Sequence, residues 1–141
     1  MRLIKSVLLA VCSLSLANSA AALTAAETAA IDNLIEQSLQ EQKVFLTCSA
    51  TLDQRNNQLI SEMWTEISAE TIVLLSEINY PPESIDRFRE NAELENIFLP
   101  EDTLWSDVIT FCQENSDWQA KLHRMTMIIL PTEITKVVSG N

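Results

Sequence analysis

Three cysteines and one histidine are the residues of this chain with the most chemistry to offer. A catalytic role for His123 would require a nucleophile and an orienting carboxylate within hydrogen-bond reach. The sequence contains no G-x-S-x-G elbow, no phosphate-binding loop, no dinucleotide-binding glycine motif and no HExxH. His123, set between Lys121 and Arg124, therefore reads as a surface or half-buried side chain, and the chain does not read as an enzyme. Cys48 and Cys112 read as a disulfide, because a bridge occupies both thiols and persists in an oxidising compartment. Closing a loop of about 65 residues stabilises by roughly 4 kcal/mol in the chain-entropy model.

Carboxylates are the other chemical resource. Glu62, Glu66 and Glu70 recur every four residues on one helical face. A di-metal bundle site needs Glu-x-x-His pairs, and an EF-hand needs its own loop. Neither pattern occurs, so the ladder reads as a solvated face, with no metal and no cofactor called for. Arg87 and Arg89 lie among Glu83, Asp86 and Glu90, where local ion pairing is the simplest role. The segment MTMIIL is apolar at five of its six positions. It reads either as a buried last helix or as a patch that docks a partner or a misfolded client. On the second reading the partner-binding residues are Met125, Met127, Ile128, Ile129 and Leu130.

The elements that must position these groups are helical. The only glycine is Gly140. Tight hairpins lean on glycine for positive φ, whereas helices joined by short connections do not. Asn79, Asn91, Asn96 and Asn115 fall where left-handed caps would be needed. Thr24-Ala-Ala-Glu27 spells a capping box, and a first helix follows with Ile31, Leu34, Ile35 and Leu39 on one stripe. The segment KVFLTCSATL, residues 43–52, is rich in β-prone residues but has no partner strand; it either continues helix 1 or opens helix 2 after a kink. Ile60, Met63, Trp64, Ile67, Leu74, Leu75 and Ile78 mark a long second helix, weakest at Ser68 to Glu70. Pro81-Pro82 ends it and opens a third, with Ile85, Phe88 and Ala92 inward.

Pro100 is expected to open the next helix, which carries Trp105, Val108, Ile109 and Cys112 along one face. Asn115-Ser116 breaks it, and a last helix runs from Asp117 to about Leu130, where Pro131 stops it. The fold class is thus all-α: one small bundle of about four to five helices, stapled by a disulfide. Residues 23–131 form the domain and residues 132–141 a C-terminal tail.

Residues 1–22 read as a cleavable signal peptide. Arg2 and Lys5 precede an apolar run from Ser6 to Ala17, and small residues around Ala20 permit cleavage after Ala21 or Ala22. Leu9-Ala10-Val11-Cys12 has the outline of a lipobox, but Val11 is too large for the position before the cysteine, so Cys12 reads as part of the removed leader. Nine Lys and Arg against twenty Asp and Glu give a net charge of −11, and without Arg2 and Lys5 it becomes −13. Such a surface repels nucleic acid and anionic lipid. No second apolar run reaches the roughly 20 residues of a membrane span.

In size, address and two spaced cysteines the chain is similar to small periplasmic helical proteins with one disulfide, such as bacterial acid-stress chaperones and secretion-system immunity proteins. The similarity assigns no functional residue. The sequence favours an exported, acidic protein that acts through contacts with an unidentified protein partner, as an assembly factor, an inhibitor or a stress-related binder. A holdase-like chaperone and a carrier of a small apolar ligand are the alternatives.

Overall fold

Thr24 and Glu27 start the first helix as a reciprocal pair: the Glu27 amide donates to Thr24 Oγ1 at 3.1 Å, and the Thr24 amide donates to Glu27 Oε2 at 2.7 Å. The bond from the Thr24 amide, then that from its hydroxyl, holds the Glu27 carboxyl below its ordinary pKa. The structure, a computed structural model, describes residues 21–140. Cys12 and the expected leader, apart from Ala21 and Ala22, lie outside the described residues. Seven helices and no strand occur among the described residues.

Helix α1, Ala25–Leu52, is the axis of the bundle. At 28 residues it is about 42 Å long. The ambiguous segment at 43–52 continues it without a break. From Val44 to Ser49 six consecutive residues are buried, so this part of α1 is enclosed on every side. A helix wrapped in this way needs apolar residues all round. That requirement overrides the β-preference of Val44, Phe45 and Thr47.

Asp53 alone separates α1 from α2, Gln54–Glu77. Its amide caps α1 on the Ser49 carbonyl at 2.8 Å, and its carboxylate accepts from the Asn56 amide at 3.4 Å. Helix α2 returns antiparallel to α1: Asn57 Nδ2 donates to Leu46 O at 3.1 Å near one end, and Tyr80 bonds Asp32 near the other. The helix runs unbroken through Ser68 to Glu70. Ile60, Trp64 and Leu75 are buried, with Met63, Ile67, Leu74 and Ile78 packed beside them.

Asn79, at φ 55°, closes α2 as the left-handed residue of a Schellman motif. The Tyr80 amide reaches Leu75 O at 2.9 Å, and the Asn79 amide reaches Ser76 O at 3.3 Å. Of the four asparagines expected to supply such caps, only Asn79 has positive φ. Asn115 closes its helix differently, donating from its side chain to Phe111 O at 2.8 Å.

Helix α3, Pro82–Ala92, buries Ile85, Phe88 and Ala92 as expected. Trp64 Nε1 donates to Ala92 O at 2.8 Å, and the Trp64 and Phe88 rings meet edge to face at 6.4 Å. One short turn of helix, α4, Leu94–Ile97, then carries Ile97 into the core.

Three expectations about the C-terminal half are corrected. Pro100 does not open a helix; it begins a separate turn closed by the Thr103 amide, and α5 is Trp105–Glu114. The next helix stops early: α6 is Trp118–Arg124, followed by Met125 at φ 52° and an irregular connector. Pro131 does not stop a helix but sits in the first turn of another, α7, Leu130–Ser139, so residues 132–139 are not a tail. Leu130, Pro131 and Ile134 are buried, and α7 packs against α1 and α2. Gly140 closes α7 in the left-handed region at φ 69°.

Candidate functional site

The disulfide is present. Cys48 of α1 and Cys112 of α5 are bonded, with Cα atoms 5.5 Å apart, and both residues are buried. The bridge anchors the α5–α6 corner to the most enclosed part of α1.

The five residues of the Met125–Leu130 segment do not form one patch. Met125 is 66% exposed, Met127 and Leu130 are buried, and Ile128 and Ile129 are half-buried against the core. The backbone explains the split. After the left-handed turn at Met125 the connector is irregular, and the Ile128 amide donates to Glu41 Oε1 at 2.7 Å. Met127, from the middle of the connector, and Leu130, the first residue of α7, both enter the core.

His123 is exposed on α6. Glu62, Glu66 and Glu70 are exposed on α2, where Glu62 accepts from Gln58 Nε2 at 2.9 Å. No group of three or more His, Cys, Asp or Glu among the described residues is placed to hold a metal ion. Arg89 pairs with Asp86, both exposed. Arg87 lines a shallow groove beside Tyr80 and Asp32. There the nearly buried Tyr80 hydroxyl donates to the Asp32 carboxylate. Burial first, and then the bond to Asp32, push the phenol pKa well above its ordinary value of 10.

A concavity of about 550 Å³ lies between α1 and the α5–α6 corner. Val44, Phe45, Trp118 and Ile128 supply its apolar lining. Glu36, Glu41, Asp117 and Lys121 supply its charges, and Asn33, Gln37, Gln40 and Asn115 its amides. Lys121 Nζ lies 3.1 Å from Asp117 and 4.0 Å from Glu41, whose side chain is only 14% exposed. One turn of α1 after another (positions 33, 36–37, 40–41 and 44) faces this cleft, which is why a single helix supplies most of its polar lining.

A second feature escaped the reading of the sequence. Leu104 and Trp105 are adjacent and 67% and 65% exposed. Trp105 shares a helical face with Cys112, but α5 meets the core mainly through its C-terminal half, where Cys112 is held by the bridge. Leu104 is also the N-cap of α5 and makes no side-chain cap bond, in a position that favours Ser, Thr, Asp or Asn.

The sequence on either side of this step is one-sided in charge. Between Arg89 and Lys121 there is no cationic residue, but there are eight carboxylates: Glu90, Glu93, Glu95, Glu101, Asp102, Asp107, Glu114 and Asp117. All eight are exposed. That absence of Lys and Arg was visible in the sequence and is the signal that marks this surface.

Among the described residues no helix is long and apolar enough to cross a membrane. Comparison of the chain with protein-family models, with curated proteins and with solved structures finds no match.

Proposed function

We propose that this is an exported binding protein that acts through contact with another protein, and that Leu104–Trp105 is the anchor of its contact surface. The observation that carries the reading is an exposed Leu-Trp step in a stretch with eight carboxylates and no cation. Tryptophan dominates the energetics of protein interfaces, because its large ring fills a pocket at little entropic cost. Both residues are also poor local choices: one occupies a capping position without capping, and the other leaves most of an indole in water. Departures from local folding rules concentrate at sites kept for function.

The acidic surround defines the partner as a protein that presents a basic, amphipathic segment. Carboxylates steer its approach, and the apolar step supplies the short-range affinity. Export is supported by the signal-like leader and by the disulfide, which persists in an oxidising compartment. An inhibitor or assembly factor would have this anatomy.

A labelled amphipathic peptide of alternating Lys and Leu character tests the reading by fluorescence anisotropy. It should bind the intact protein, and Trp105→Ser should weaken binding about tenfold. An acidic peptide of the same apolar pattern should not bind. Unchanged affinity in Trp105→Ser would remove the anchor.

A second reading, a stress-responsive client binder, draws on the connector. Met127 and Leu130 are held inside, and the Ile128 amide is fastened to Glu41. Its test is dye-detected apolar surface and suppression of client aggregation as pH falls through the carboxylate range. No change in either removes it.

A further inference from the structure

We propose that the cleft between α1 and the α5–α6 corner binds a small amphipathic amine, with its ammonium group beside Glu36 and Glu41 and its apolar body over Val44, Phe45 and Ile128. This inference is independent of the Leu104–Trp105 surface. The volume of about 550 Å³ falls within the range of small-molecule sites. The apolar residues favour a ligand with a hydrocarbon or aromatic body, and the charges decide the sign of its polar end. Three carboxylates line the cleft against one ammonium.

Lys121 is committed to Asp117 at 3.1 Å and stands farther from Glu41, at 4.0 Å. Glu41 gives one oxygen to the Ile128 amide, which leaves the other oriented toward Lys121. Glu36 is exposed, and its side chain makes no ion pair or hydrogen bond among the described residues. The cleft therefore has an excess of two negative charges over an apolar base. An anionic ligand would be repelled, a neutral one would gain no charge–charge attraction from the carboxylates, and a compact polyamine would gain nothing from Val44, Phe45 and Ile128. A cation with an apolar body uses both.

Titration calorimetry of the disulfide-bonded protein with phenethylamine tests this. Phenethylamine should saturate a single site. Phenylpropanol, of similar shape without charge, should bind at least about tenfold more weakly, and phenylpropanoate should not bind. Glu36→Gln should weaken phenethylamine binding and Lys121→Met should tighten it, each by roughly two- to fivefold, the range of single partly exposed charge interactions. Circular dichroism melts of both variants establish that they are folded. Opposite shifts are the signature of a charge effect, since general damage moves both variants the same way. Absence of saturable binding at millimolar amine, equal binding of the alcohol, or weakening in both variants would overturn the proposal. A short lysine-bearing peptide that binds more tightly than phenethylamine would assign the cleft to a partner's side chain and would also overturn it.

Discussion

The Glu41 carboxylate accepts a hydrogen bond from the Ile128 amide at 2.7 Å, joining the middle of α1 to the connector before α7. The connector has no regular structure of its own, so this bond fixes where Met127 and Leu130 enter the core. Glu41→Ala removes the acceptor and leaves a half-buried amide unsatisfied, at a cost of about 1–3 kcal/mol. Glu41→Gln keeps an acceptor oxygen and should cost less. Urea denaturation of the two variants decides the point; equal losses would show that the charge near Lys121, and not the amide bond, is what matters.

The disulfide closes a loop with a sequence separation of 64 residues. Replacing both cysteines by serine should lower stability by about 2–4 kcal/mol, the upper figure being the chain-entropy value for a loop of this length. Thermal melts with and without reductant measure this. A variant as stable as the oxidised protein would mean that packing around α1 holds the α5–α6 corner without help.

Met125 occupies the left-handed region at φ 52°, where a side chain costs about 1–2 kcal/mol. Its side chain is mostly exposed, so little packing is at stake. Met125→Gly should therefore raise the stability by about 1 kcal/mol, seen as a higher midpoint in urea. A loss of stability would reveal a packing contribution from the methionine that its exposure does not suggest.

Ser38 is fully buried in α1, and its hydroxyl has no hydrogen-bond partner among the described residues. Ser38→Ala removes an unsatisfied polar group and adds helix propensity, for a gain of about 1 kcal/mol or more. Destabilisation by this substitution, measured in the same way, would point to a partner for the hydroxyl.

Tyr80 gives the protein an alkaline limit. Its pKa is raised by burial and by the bond to Asp32, so the neutral phenol is the form the fold favours. The stabilisation is complete below the unfolded value of 10 and is lost as pH rises above it toward the folded value. Stability should fall above pH 10, and Tyr80→Phe should flatten that fall while costing about 1 kcal/mol at neutral pH. An alkaline limb unchanged in Tyr80→Phe would place its origin in other groups.

The readable parts of the fold were those governed by local rules. Thr24 and Glu27 sit three apart and pair; Pro82 follows a long apolar stripe and starts a new helix; the absence of internal glycine excludes tight hairpins. Pro131 shows where such rules stop. Proline ends one helix and begins another equally well, and the choice fell to Leu130 and Ile134, which are buried on the far side of it. The Val44–Ser49 segment was ambiguous for the same reason, because a fully enclosed helix loses the periodicity that identifies an exposed one. The cleft was not legible at all: its lining comes from α1, the α5–α6 corner and the connector, which are brought together only by packing. Trp105 shares a face with Cys112 and is exposed all the same, because a stripe on a helix shows which residues share a face, not how much of that face reaches the core.

The enclosure of α1 also constrains the order of events during synthesis. Helix α1 is made before the other described helices but is not covered until α7 is in place, since Leu130 and Ile134 belong to the same core as Ile31 and Leu46. A nascent chain therefore emerges from the ribosome with its most apolar helical belt still open to solvent. It cannot complete its core until the C-terminal helix is free, and it remains a candidate for capture by other proteins throughout that interval.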